Sequence, residues 1–191
     1  SASWNIDLHT KQPTLKQGYA KLKEDNKKVK KFLLDNGIEE KDITISAISS
    51  YEEYKRFPNG NTSNEIECYN LSQYITVKSN DINLLTDISK KVDVLIDQDV
   101  DLSTQNVEYF VSNLDDIKVK MIAEASKNAK ERAKSLVKGT NGKIGVMTSA
   151  KVGVFQIVPV DSTEVNDYGI NDTTSIEKKI VSTVNATFMV K

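Results

Sequence analysis

Apolar residues recur along this chain with two different spacings, and the switches between them outline nine elements. Residues 3–10 alternate Trp4, Ile6 and Leu8 with Asn5, Asp7 and His9, the pattern of a half-buried strand. After Pro13-Thr14 the apolar positions spread to Leu15, Tyr19, Leu22, Val29 and Phe32-Leu33. That spacing predicts an amphipathic helix, stopped by Asn36-Gly37. Residues 42–54 and 65–79 return to strand-like runs on either side of Pro58-Asn59-Gly60, which predicts a long hairpin. Asp81 is placed to cap a second helix, with Leu84-Leu85, Ile88, Val92 and Leu95-Ile96 as its stripe. Residues 105–114 read as a strand through Val107, Tyr109 and Val111. Two further strands, 143–159 and 176–190, close the chain, with Gly145 and Gly153 marking expected bulges in the first.

The longest signal is a helix over 113–142. Leu114, Ile117, Met121, Ala125, Ala129, Ala133 and Leu136 fall at steps of three or four, which puts them on one face. Asn113 is the expected cap, Asp115 and Asp116 lie in the first turn, and Lys130, Arg132, Lys134 and Lys138 load the far end. These charges agree with the macrodipole. Gly139 is the expected left-handed stop. Three alanines in succession on this face predict a helix lying flat on a sheet.

The order β-α-β-β-α-β-α-β-β predicts an α+β fold of mixed or antiparallel sheets with helices on one face. The first six elements match a ferredoxin-like, split βαβ arrangement. The last three must extend that sheet or build a second. The expectation is one unit over 1–191, made of two intertwined subdomains, 3–62 with 143–191 and 64–142.

Composition narrows the function classes. Formal net charge is -1, with 26 basic and 27 acidic residues, so no global field recruits nucleic acid or anionic lipid. No apolar run reaches the roughly 20 residues of a spanning helix. The single cysteine, Cys68, excludes an internal disulfide and a multi-cysteine zinc site. The lone histidine, His9, lies on the polar side of a strand, and no Gly-x-Ser-x-Gly elbow accompanies it. No catalytic residue, cofactor or metal ligand is therefore assigned. The Asp97-Gln98-Asp99-Val100-Asp101 run has some calcium-loop spacings, but Leu102 stands where the loop needs glycine. An acidic turn is the expectation there, with a carboxylate-based ion site or an uncharacterised enzyme as the alternative reading. Lys27, Lys28, Lys30 and Lys31 read as a solvated face.

Several stretches together resemble the SIMPL-domain family of bacterial envelope proteins. They are residues 69–77 (YNLSQYITV), 106–114 (NVEYFVSNL), 124–133 (EASKNAKERA), Gly153-Val154-Phe155-Gln156-Ile157, and 167–179 (DYGINDTTSIEKK). The resemblance implies a periplasmic or envelope location, a leader and a further strand upstream of Trp4, and an undefined biochemical role. It brings no catalytic residue. It also implies self-association, since at least one periplasmic member forms a large ring-like or channel-like oligomer. The chain opens at Ser1-Ala2-Ser3 directly before a strand, as expected of a trimmed or mature form.

The polar connection 161–175 is far longer than a hairpin needs. Val165, Asp167, Tyr168, Gly169, Ile170 and Asp172 are its candidate assembly or partner residues. The segment is expected to project from the sheet, with Val165, Tyr168 and Ile170 as anchors on a second copy or an envelope partner and Gly169 permitting a tight bend between Tyr168 and Ile170.

Overall fold

In the computed structural model, which describes residues 1–191, the first strand organises everything up to Phe110. β1 (Ala2–Gln12) is central, and α1 (Leu15–Asp35) follows it. Next come β2 (Ile43–Ile45), β3 (Ser49–Arg56) and β4 (Thr62–Ser79), then α2 (Ile82–Ser89) and the one-turn α3 (Asp93–Ile96). β5 (Leu102–Thr104) and β6 (Glu108–Tyr109) complete this part. β4 runs antiparallel to β1 from Ala2 opposite Ser79 to Gln12 opposite Tyr69. β2 and β3 line the other side of β4, and β5 and β6 the other side of β1. The sheet is thus antiparallel, in the order β2/β3, β4, β1, β5/β6.

Alternation decides which face is dry. Trp4, Ile6 and Leu8 of β1 and Leu71, Ile75 and Val77 of β4 are buried with Leu22, Val29 and Leu33 of α1 and Leu85 and Ile88 of α2. Thr14 caps α1 by accepting from the N–H of Gln17 at 3.2 Å. Gly37, at φ +94, turns the chain so that the Ile38 N–H reaches the Leu33 carbonyl at 3.0 Å. Gly18 lies where α1 comes closest to β4, since a Cβ there would sit 2.2 Å from Leu71 Cδ1. Asp25 is a fully buried carboxylate on α1, paired with Lys21 at 2.8 Å.

Residues 111–191 form a separate compact unit. It contains α4 (Leu114–Lys138), β7 (Ile144–Val152), β8 (Gln156–Pro159), β9 (Lys178–Val181) and β10 (Val184–Val190). β7 pairs with β10 and β8 with β9, both antiparallel. α4 lies along β10 and β7. Its residues Met121, Ala125, Ala129 and Ala133 are half-buried, as are Val184, Ala186 and Phe188 of β10. Only Gln156, Ile157 and Val158 of this unit are buried.

Several expectations are corrected. The helix begun at Asp81 stops at Ser89, and only Glu108 and Tyr109 of the 105–114 run are in the sheet. The two closing strands each break once, at 153–155 and at 182–183, because the Gly153 N–H bonds the Thr183 carbonyl at 2.8 Å with no room for a Cβ between them. Leu136 is exposed, not part of a core face. Asn113 makes no side-chain cap and is itself left-handed, at φ +56. The left-handed residue after α4 is Asn141, at φ +60, not Gly139. The compact units divide between Phe110 and Val111, not at the 62–64 and 142–143 junctions, because β1 and β4 share one sheet over eleven paired positions.

Candidate functional site

The 161–175 connection does not swing free of its unit; it is stitched back along β8. The N–H of Ile157 donates to the Ile170 carbonyl at 2.7 Å, and the N–H of Asp172 donates to the Ile157 carbonyl at 2.9 Å. These bonds make a short parallel bridge between Ile157 and Asn171. The Gln156 side-chain amide donates to the Asn166 carbonyl at 2.6 Å. The Asn166 side chain accepts from the N–H of Tyr168 at 2.8 Å, an Asx turn. Gly169 then takes φ +89, and a Cβ there would meet Val154 Cγ1 at 2.8 Å and the Phe155 carbonyl at 3.0 Å. The expectation that the whole segment projects is therefore corrected, while Gly169 makes the expected tight bend. Gly169 and Ile170 are half-buried along β8, and Asp172 turns inward. Val165, Asp167 and Tyr168 face outward, with Tyr168 95% exposed.

Asp172 is the electrostatic anchor. Its carboxylate accepts from the Thr174 N–H and hydroxyl, both at 2.8 Å, and from the Ser175 N–H at 3.3 Å. Lys178 Nζ lies 3.4 Å from the same carboxylate and donates to the Asp172 carbonyl at 2.5 Å. Both side chains are more than nine-tenths buried. Burial pushes the Asp172 carboxyl up, but the bonds from Thr174 and Ser175 outweigh it and hold the group well below the usual carboxylate range. Sequence reading identified Asp172 but not Lys178, because nothing in the local pattern says that a lysine six residues later folds back.

Other candidate groups have bland partners. Asp7 Oδ2 lies 3.3 Å from His9 Nε2, an acid placed there by strand alternation, and Ser103 Oγ contacts the same nitrogen at 3.3 Å. A relay of the serine-protease kind uses both ring nitrogens, so this trio is not one. Cys68 is buried, and burial, the largest cause, pushes its thiol up. Lys11 comes close to it, which the sequence did not show, but is held by Glu53 at 2.9 Å. Hydrogen bonds from Asn70 and Lys11 pull Glu53 down to about 2. In the 97–101 turn, the Asp99 carbonyl accepts from Lys21 at 2.6 Å and the Gln98 carbonyl from Lys28 at 3.0 Å. Lysine ammonium groups thus pin the backbone of this acidic turn to α1. No helix is long and apolar enough to cross a membrane.

The sequence matches the SIMPL family, described as "Protein of unknown function (DUF541)", over residues 1–188. The chain belongs to the SIMPL family. The match runs through both compact units, so the second, thinly buried unit is part of the family's pattern and not an appendage. Among curated proteins, no match is found. The biochemical role of the SIMPL family is undefined, and no role for a particular residue is inherited from it.

Proposed function

We propose that this SIMPL protein is a non-enzymatic protein of the bacterial periplasm or envelope that acts by holding another protein surface, either a second copy of itself or an envelope partner. The observation that carries the reading is Tyr168, a nearly fully exposed aromatic presented by a backbone fixed on both sides by hydrogen bonds. A rigid exposed aromatic loses little conformational freedom on binding, and such residues dominate interface energetics. Val165, 75% exposed, extends the same apolar tip. The envelope location is supported by family membership. The non-enzymatic reading is supported by the bland partners of His9 and Cys68. The strand order of the first unit supports its reading as a ferredoxin-like, split βαβ arrangement.

Deleting residues 165–171 would remove the bonds to Ile157, so substitution is the cleaner test. Val165→Ser with Tyr168→Ser touches neither Gly169 nor Asp172. We expect an unchanged circular dichroism spectrum with a smaller assembly by light scattering or weaker capture of an envelope partner. If assembly mass and partner capture both match the parent protein, the tip is only a loop.

A further inference from the structure

β3 is an edge strand eight residues long, paired with β4 on one side and with no strand on the other. No backbone bond from an element other than β4 reaches it. It carries Tyr51-Glu52-Glu53-Tyr54-Lys55-Arg56, followed by Phe57, and all but Glu53 are exposed. Free edges invite pairing, and interspersed charges usually discourage it. Here the charges favour one self-pairing register and oppose the four registers next to it.

In an antiparallel pair, opposed residues either both exchange backbone bonds or both turn away. A twofold between two copies of one strand must therefore pass through a residue facing itself. With Tyr54 on the axis, Glu53 faces Lys55 of the other copy, Glu52 faces Arg56, and Tyr51 faces Phe57, each contact occurring twice. Moving the axis by one residue sets Glu53 against Glu53 or Lys55 against Lys55. Moving it by two toward the start of β3 sets Glu52 against Glu52, and by two toward the turn, Arg56 against Arg56. Lys55 and Glu53 already have partners within the chain, Glu65 and Lys11, each at 2.9 Å. Arg56 takes part in no salt bridge of its own chain, and Glu52 accepts from the Tyr54 hydroxyl but has no cation of its own, so the Glu52–Arg56 ion pair is the one the second copy supplies.

We propose that β3 is a self-pairing edge, which joins β3 of a second copy antiparallel about a twofold at Tyr54 and merges the two sheets into one. This deepens the self-association reading and rests on it, while using a surface separate from the Tyr168 tip. The interface is isologous, so a charge exchange made in one chain is repaired by its reciprocal in the same chain.

The test measures association of the full chain by analytical ultracentrifugation over a range of concentrations. Glu52→Arg should weaken the dimer by roughly tenfold or more, since it sets like charges opposite each other at two places. Arg56→Glu should weaken it similarly, and the two substitutions together should restore it. Under mild oxidation, Tyr54→Cys should give a disulfide-linked dimer, whereas Ser50→Cys should not, because position 50 lies far from its own copy in this register. Restoration and position-specific crosslinking would establish the seam. If the parent protein associates but is indifferent to these charges, and Tyr54→Cys does not crosslink, the β3 seam is wrong and self-association stands by another surface. A parent protein monomeric at every concentration overturns both.

Discussion

At the scale of single residues, the Asp172–Lys178 pair shows how a polar loop holds a fixed shape without a core. Two opposite charges are taken out of water together, and the remaining carboxylate lone pairs are met by Thr174 and Ser175. Removing one partner leaves the other buried and uncompensated, so Asp172→Ala should cost about 3–5 kcal/mol, read from urea denaturation at neutral pH. The pH dependence follows from the lowered carboxyl. The stabilisation is complete above the ordinary aspartate value of about 3.9, and is lost as pH falls below it toward the folded-state value. The stability gap between the parent and Asp172→Asn should therefore narrow on acidification below about pH 4. A gap that stays constant through that range would show that the carboxylate charge contributes nothing.

At the scale of elements, α1 and β4 meet at a contact that only glycine permits. Gly18→Ala would gain about 1 kcal/mol of helix propensity but must displace Leu71, which is nearly fully buried. Overpacking of this kind costs about 1–3 kcal/mol, so the net change should be destabilising, checked by the midpoint of thermal unfolding. The sequence showed α1 clearly, because its stripe and its Thr14 and Asn36-Gly37 boundaries agree. It showed the β3–β4 hairpin for the same reason, with Pro58-Asn59-Gly60 at the turn. It did not show the breaks at Gly153 and at 182–183, since a break in one strand is set by its neighbour and leaves the apolar alternation almost intact. It overstated α4, whose alanine face is half-buried on a two-stranded ribbon. Periodicity reports that a face is apolar, not how much protein stands against it. The candidate loop was legible as a segment but not as a shape: its return along β8 depends on backbone bonds to Ile157 that no side-chain pattern encodes.

At the scale of the whole molecule, burial is unequally shared. Residues 1–110 contain a continuous core around Trp4, Ile6, Leu8, Leu22, Leu33 and Ile75. Residues 111–191 bury only Gln156, Ile157 and Val158 and leave Val119, Leu136 and Val146 in solvent. Local stability follows buried apolar contact. Amide hydrogen exchange should therefore be slowest in β1, β4 and α1 and markedly faster in α4, β7 and β10. Equal protection in the two units of the isolated protomer would contradict this ranking.

Trp4 gives that imbalance an optical signature. It is the only tryptophan in the chain, and it is almost completely excluded from solvent at the centre of the first sheet. Its emission should be blue-shifted in the native protein and should move to the red only when residues 1–110 open. The 25-residue helix α4, in contrast, contributes to far-ultraviolet ellipticity but holds no tryptophan. Fluorescence thus watches residues 1–110 alone, whereas ellipticity watches α1 in the first unit and α4 in the second. Coincident melting curves would mean that the two units unfold as one, whereas an early loss of ellipticity at constant emission colour would mean that the second unit melts first.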